Sequence, residues 1–259
     1  MNPAYVDKGS GKAVFFANGA VSDYRAFEAQ ISALSKEYRV VAPNLRSQSR
    51  RGRQPYTLWD LADDYRALMD VLDIEKAVIA GWSTGGYVGL RFAQRYPERL
   101  AGLVLLGSTA VPNTSQEEVA FLAKFHEMDN QESVPREWAE WCAKILFSAK
   151  AQETNPALME TWIERWATYS VPNIIMECRC WLNREDMTPI LPTLKVPTLI
   201  IHGEEDAAIP IVRTAPMTKQ MPNARMISLP KVGHFLSVEA PDEVTSGIRD
   251  FLRGVYGSK

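Results

Sequence analysis

The chain has 259 residues, 46% of them hydrophobic and 23% charged, with a formal net charge of −2 and three cysteines. This size and balance describe one ordinary globular core, not a disordered or fibrous chain. With no overall basic field, nucleic acid is excluded as an expected partner.

Taken from the amino end, Met1 to Lys8 carries no apolar signal core, and no later run approaches the roughly 20 apolar residues that span a bilayer. A cytoplasmic location without a membrane partner is therefore expected. The first apolar strand covers 13–17 and runs into Asn18-Gly19-Ala20, followed by a helix over 24–36 and a strand over 39–42. Pro43 to Arg53 is a loop dense in arginine, with Arg46, Arg50, Arg51 and Arg53. It reads either as a docking patch for an acidic substrate or as a solvated loop, and the second is favoured because charge runs usually face water. A helix over 58–72 and an apolar strand over 77–81 follow.

The segment Gly81-Trp82-Ser83-Thr84-Gly85 then joins that strand to a helix over 84–95. A serine at a sharp strand-to-helix turn, with glycines two before and two after to remove clashing Cβ atoms, points to a nucleophile. The helix dipole and first-turn amides face the place where an acyl oxyanion would form.

After a strand over 101–107 the alternation stops. Residues 109–190 hold no convincing strand and are rich in helix formers and large aromatics, among them Phe121, Phe125, Trp138, Trp141, Phe147, Trp162, Trp166, Tyr169 and Trp181. Trp138 with Trp141, and Trp162 with Trp166, share helical faces. The segment is read as a helical cap inserted in a core of 1–108 and 191–259. Each tryptophan can be simple packing, but together some should line a pocket, with Trp138, Trp141 and the nucleophile's neighbour Trp82 as candidate substrate contacts. Cys142, Cys178 and Cys180 are too few for a disulfide framework and lack zinc-knuckle spacing, so they are read as packing residues and no metal is expected.

Alternation resumes with a strand over 197–202 entering the acidic turn Glu204-Glu205-Asp206. A helix over 211–221, a strand over 225–229, the turn Val232-Gly233-His234-Phe235 and a helix over 241–253 complete the chain. Such alternation requires right-handed crossovers and a mostly parallel, doubly wound sheet.

With these pieces in this order, nearly the whole chain resembles the α/β-hydrolase superfamily, in its small esterase, lactonase and cofactor-free haloperoxidase branch. Supporting matches are Gly9-Ser10-Gly11, Tyr56-Thr57-Leu58, Tyr96-Pro97-Glu98-Arg99-Leu100 and Ile201-His202-Gly203. The family's chain order of serine, acid and histidine implies Ser83 as nucleophile, Asp206 as acid and His234 as base. His202 is expected to be structural. The resemblance also implies an oxyanion hole from the backbone amides of Ala20 and Thr84, and no cofactor.

Two departures carry information. Asn18 stands where most members have histidine, which resembles the 3-oxoadipate enol-lactonases and tilts the reading toward lactones. Serines replace glycines in the arginine loop. Members also usually begin with an extra strand or hairpin, and the short amino end implies a reduced first edge of the sheet. Three functions stay open: hydrolysis of a small ester or lactone, hydrolysis of a carbon–carbon bond in a vinylogous diketone, and a ligand receptor that keeps the triad. Oligomeric state is not legible.

Overall fold

The computed structural model describes residues 4–48 and 54–257. Seven strands form one sheet: β1 (Tyr5–Lys8), β2 (Ala13–Ala17), β3 (Arg39–Pro43), β4 (Ala77–Trp82), β5 (Leu100–Leu106), β6 (Thr198–Gly203) and β7 (Ala224–Leu229). Their order is β1-β3-β2-β4-β5-β6-β7, with β1 antiparallel to β3 and every other pair parallel. Strands β2 and β4 are buried along their whole length, as continuous apolar runs between two helical layers should be.

Helices α1 (Glu28–Leu34), α2 (Leu58–Val71) and α3 (Thr84–Arg95) connect the first strands, and between β5 and β6 come α4 (Ser115–His126), α5 (Arg136–Leu146), α6 (Ala149–Thr154), α7 (Pro156–Ala167) and α8 (Val171–Leu182). Three more, α9 (Met217–Gln220), α10 (Leu236–Glu239) and α11 (Pro241–Tyr256), return to the core. The chain steps from β2 outward to β3, then back across β2 to β4. Right-handed crossovers therefore put α1 and α2 on opposite faces. This reversal lies between β2 and β4, where the loops leaving both carboxyl ends share a crevice. Ala17 pairs with Gly81 at that end, so the Asn18-Gly19-Ala20 turn and Ser83 emerge side by side.

Most elements fall where the pattern puts them, with three differences. The first edge holds the four-residue strand β1, whose side chains are largely exposed and which pairs only with β3. The helix expected over 211–221 is broken into a 3-10 turn at Ile211–Arg213 and the short α9. Pro216 has no N–H to continue the ladder, and its ring collides with the preceding turn, so the helix restarts there. A further short helix, α10, precedes α11. Among the described residues, no helix is long and apolar enough to cross a membrane.

Candidate active site

Ser83 adopts φ 51° and ψ −115°, a conformation that L residues reach only under strain, and its N–H donates to Leu106 O at 2.9 Å. The flanking glycines are sterically required. A Cβ on Gly81 would lie 2.3 Å from Gly85 O, and one on Gly85 only 2.0 Å from Ala17 O. Both collisions are with backbone, which has no rotamer escape. Gly85→Ala is expected to lower stability by at least about 3 kcal/mol, the upper range for overpacking, read from the midpoint of urea unfolding.

His234 is placed by its own loop. The Trp82 indole donates to His234 O at 2.7 Å, the next residue's N–H donates to Leu146 O at 2.9 Å, and Trp82 stacks on Phe235 with ring centroids 4.3 Å apart. Trp82 thus lies under both the nucleophile and the histidine, and Gly19 gives it room, since a Cβ there would sit 2.5 Å from the indole. His234 Nδ1 is 2.8 Å from Asp206 Oδ2, and Asp206 Oδ1 accepts the Ile209 N–H at 2.7 Å. Nδ1 being engaged, Nε2 is the nitrogen that can take a proton.

His202 supports the same carboxylate. Its Nε2 lies 3.2 Å from Asp206 Oδ2 and 2.8 Å from Ile209 O, while its buried Nδ1 has no hydrogen-bond partner among the described residues. The network assigns the proton to Nε2. Burial opposes the Asp206 charge, but His234 and His202 outweigh it and hold the carboxyl at about 2.

A cavity of about 100 Å³ opens onto Ser83 and His234. Ala20, Thr84, Trp82, Trp138 and Trp141 all line it, whereas Asp206 stands behind His234, off the wall. The remaining wall includes Val21, Tyr87, Asn113 and Ile209, which the sequence pattern did not single out, and among the described residues no Lys, Arg, Asp or Glu. Cys142 and Cys178 also face it, with their thiols pushed up by burial. The other tryptophan pair goes elsewhere: Trp162 and Trp166 pack on Phe235, at centroid distances of 4.6 and 6.3 Å. Among the described residues, the Ala20 N–H meets no protein acceptor. The Thr84 N–H belongs to the first turn of α3, whose amides have no helical acceptor.

Two residues singled out in the sequence, Asn18 and Arg46, lie away from this wall. Asn18 is buried and its Nδ2 donates to Pro43 O at 2.8 Å, tying the ends of β2 and β3 together. That is a structural use of the amide nitrogen, made off the cavity wall. Arg46 pairs with Asp64 at 2.7 Å and covers the Tyr56 ring, while Arg50, Arg51 and Arg53 fall outside the described residues.

A doubly wound sheet with a strained serine after its central strand, on one cavity wall with a histidine from the last βα loop, defines an α/β hydrolase. Residues 12–241 match the alpha/beta hydrolase fold family, and the chain belongs to it. Its structure is similar to that of a thermophilic esterase from Thermogutta terrifontis, with a TM-score of 0.91 at 29% identity, covering 98% of this chain and 93% of that one. An enol-lactonase from Burkholderia xenovorans LB400 shares the fold, with a TM-score of 0.86 at 24% identity over 96% of this chain and 95% of that one. In sequence the chain is 27% identical over 195 residues to a 2-hydroxy-6-oxo-6-phenylhexa-2,4-dienoate hydrolase of Comamonas testosteroni, over 73% of this chain and 66% of the other.

Proposed function

We propose that this protein hydrolyses a carboxylic ester or lactone whose acyl part is compact, apolar and uncharged. The observation that carries the reading is the cavity wall, which presents Ser83 and His234 amid mostly aromatic and aliphatic side chains and, among the described residues, no Lys, Arg, Asp or Glu. In this reading His234 removes the Ser83 proton as the hydroxyl attacks the carbonyl, then protonates the leaving alcohol. Asp206 holds the imidazole in the productive tautomer and stabilises the imidazolium. The amides of Ala20 and Thr84 receive the oxyanion, water repeats the sequence on the acyl-enzyme, and the helices over 109–190 act as the cap that keeps bulk water out.

The esterase and enol-lactonase likeness supports ester chemistry. The dienoate hydrolase of Comamonas testosteroni acts, by its name, on a carboxylate, and among the described residues a carboxylate would find no Lys or Arg on this cavity wall to meet it. Burying an unpaired charge costs several kcal/mol. A neutral acyl ester is therefore expected to exceed a matched ester with a terminal carboxylate by about 100-fold in kcat/KM.

The test is acid release measured in a pH-stat over simple esters, γ- and δ-lactones, enol-lactones and carboxylate-bearing analogues, with Ser83→Ala as control. Neutral esters or lactones turned over only by the wild type support the proposal. Preference for the carboxylate analogues would overturn its charge rule, and no acid release at all would leave diketone cleavage or a receptor.

A further inference from the structure

Resting on the assignment of the Ala20 amide to the oxyanion hole, we propose that Glu177 and Trp166, side chains of the inserted helices, are positioning residues that clamp the oxyanion loop into shape. Val21 is a β-branched residue held at φ 53°, a backbone region that such residues avoid. Both its backbone groups are taken by those helices. Its N–H donates to Glu177 Oε1 at 2.5 Å, and its C=O accepts from Trp166 Nε1 at 2.7 Å. Glu177 and Trp166 are fully buried.

Three successive peptide planes are fixed in this way, each by one side chain. The plane that contains the Ala20 N–H is held through Gly19 O, which accepts from Ser22 Oγ at 2.8 Å. The Ala20–Val21 plane is held by Glu177, and the Val21–Ser22 plane by Trp166. Two of the three restraints thus come from outside the sheet core, and one comes from 156 residues away in sequence. The same face of the loop receives a third contact, with Tyr169 Oη donating to Asp23 Oδ2 at 3.0 Å.

Glu177 is itself secured. Its second oxygen accepts from the Ser47 hydroxyl, and Ser47 O accepts from Asn173 Nδ2 at 2.7 Å. Among the described residues no cation pairs with this carboxylate, and burial pushes it up to about 7 despite the two hydrogen bonds. In either protonation state one oxygen remains to accept from Val21, so the clamp depends on an acceptor and not on charge. Moving the Ala20 amide would weaken oxyanion binding in the transition state while leaving in place the aromatic part of the wall, with Phe121, Phe125, Trp138 and Trp141, that binds the ground state. The signature is loss of kcat at constant KM.

The experiment compares Glu177→Leu, which removes the acceptor, Glu177→Gln, which restores it, and Trp166→Phe, which removes the donor together with part of the ring. Each is measured for kcat and KM on the best neutral ester and for amide hydrogen exchange in the 18–24 segment. Expected for Glu177→Leu is about a 100-fold fall in kcat, KM within twofold of wild type, and faster exchange. Glu177→Gln should return both readouts to within threefold of wild type, and Trp166→Phe should fall between. A folded Glu177→Leu protein with wild-type kcat and exchange overturns the proposal, as does a glutamine variant as impaired as the leucine one. If Glu177→Leu does not fold, Trp166→Phe decides: unchanged kcat and exchange would overturn the clamp. Should the wild type hydrolyse no ester, the functional reading fails, while the exchange measurement still decides whether Glu177 holds the loop.

Discussion

Ser83→Ala is expected to lower kcat by about a million-fold on whichever ester or lactone the wild type prefers, with KM little changed, because triad members act as a unit and burial keeps the Cys142 and Cys178 thiols on the wall from forming reactive thiolates. What remains is the acceleration over water from the oxyanion amides and substrate positioning, about a thousand-fold in comparable sites. The geometry separates this loss from any loss of fold. Alanine keeps the strained φ 51°, ψ −115° of the elbow, whereas glycine relieves it. Ser83→Gly is therefore expected to be as inactive as Ser83→Ala but more stable by about 1 kcal/mol, a rise in melting temperature of roughly 2–4 °C for a chain of this size. Single-turnover kinetics and thermal melts on the two variants read both effects. An active alanine variant would remove Ser83 from the chemistry, and a glycine variant no more stable than alanine would show that the elbow stores no strain.

The elbow was legible in the sequence because its strain leaves a mark: only glycine fits at 81 and 85, where backbone crosses backbone. Asp206 and His234 were legible for a related reason, each following an apolar strand at the carboxyl edge of the sheet. Val21 left no such mark. Valine at a positive φ contradicts local preference, and what imposes it is a glutamate and a tryptophan far along the chain. Likewise the pairs Trp138/Trp141 and Trp162/Trp166 have the same helical spacing, yet one pair lines the cavity and the other packs on Phe235. Spacing fixes which residues share a face, and only the packing of α5 against α7 and the core fixes where that face points. Asn18, a departure from the family pattern, donates its Nδ2 to Pro43 O off the cavity wall, a partner that sequence spacing does not reveal. The pattern over 211–221 reads as one helix because its periodicity runs through Pro216, whose missing N–H breaks it in the fold.

Asp206→Asn is expected to lower kcat by about ten thousand-fold while leaving the fold intact. The Ile209 N–H can still donate to the asparagine carbonyl at the position of Oδ1, so the loop after β6 keeps its turn. The amide NH₂ then faces His234 Nδ1 and requires that nitrogen to accept, which moves the imidazole proton to Nε2. A protonated Nε2 cannot take the proton of Ser83, and the base is lost without being displaced. The same substitution has a consequence for stability that is independent of substrate. Burial opposes the Asp206 charge, but the histidines hold its carboxyl at about 2 against an ordinary 3.8, so the folded state favours the ionised form. This contribution is fully present above the ordinary value and is lost as the pH falls through about 2; it amounts to on the order of 2 kcal/mol. Asparagine carries none of it, so the stability gap between wild type and Asp206→Asn should narrow as urea melts are taken from pH 6 toward pH 2. A gap that stayed constant over that range would mean the charge of Asp206 contributes nothing to folding, and wild-type turnover by the variant would remove it from the catalytic machinery.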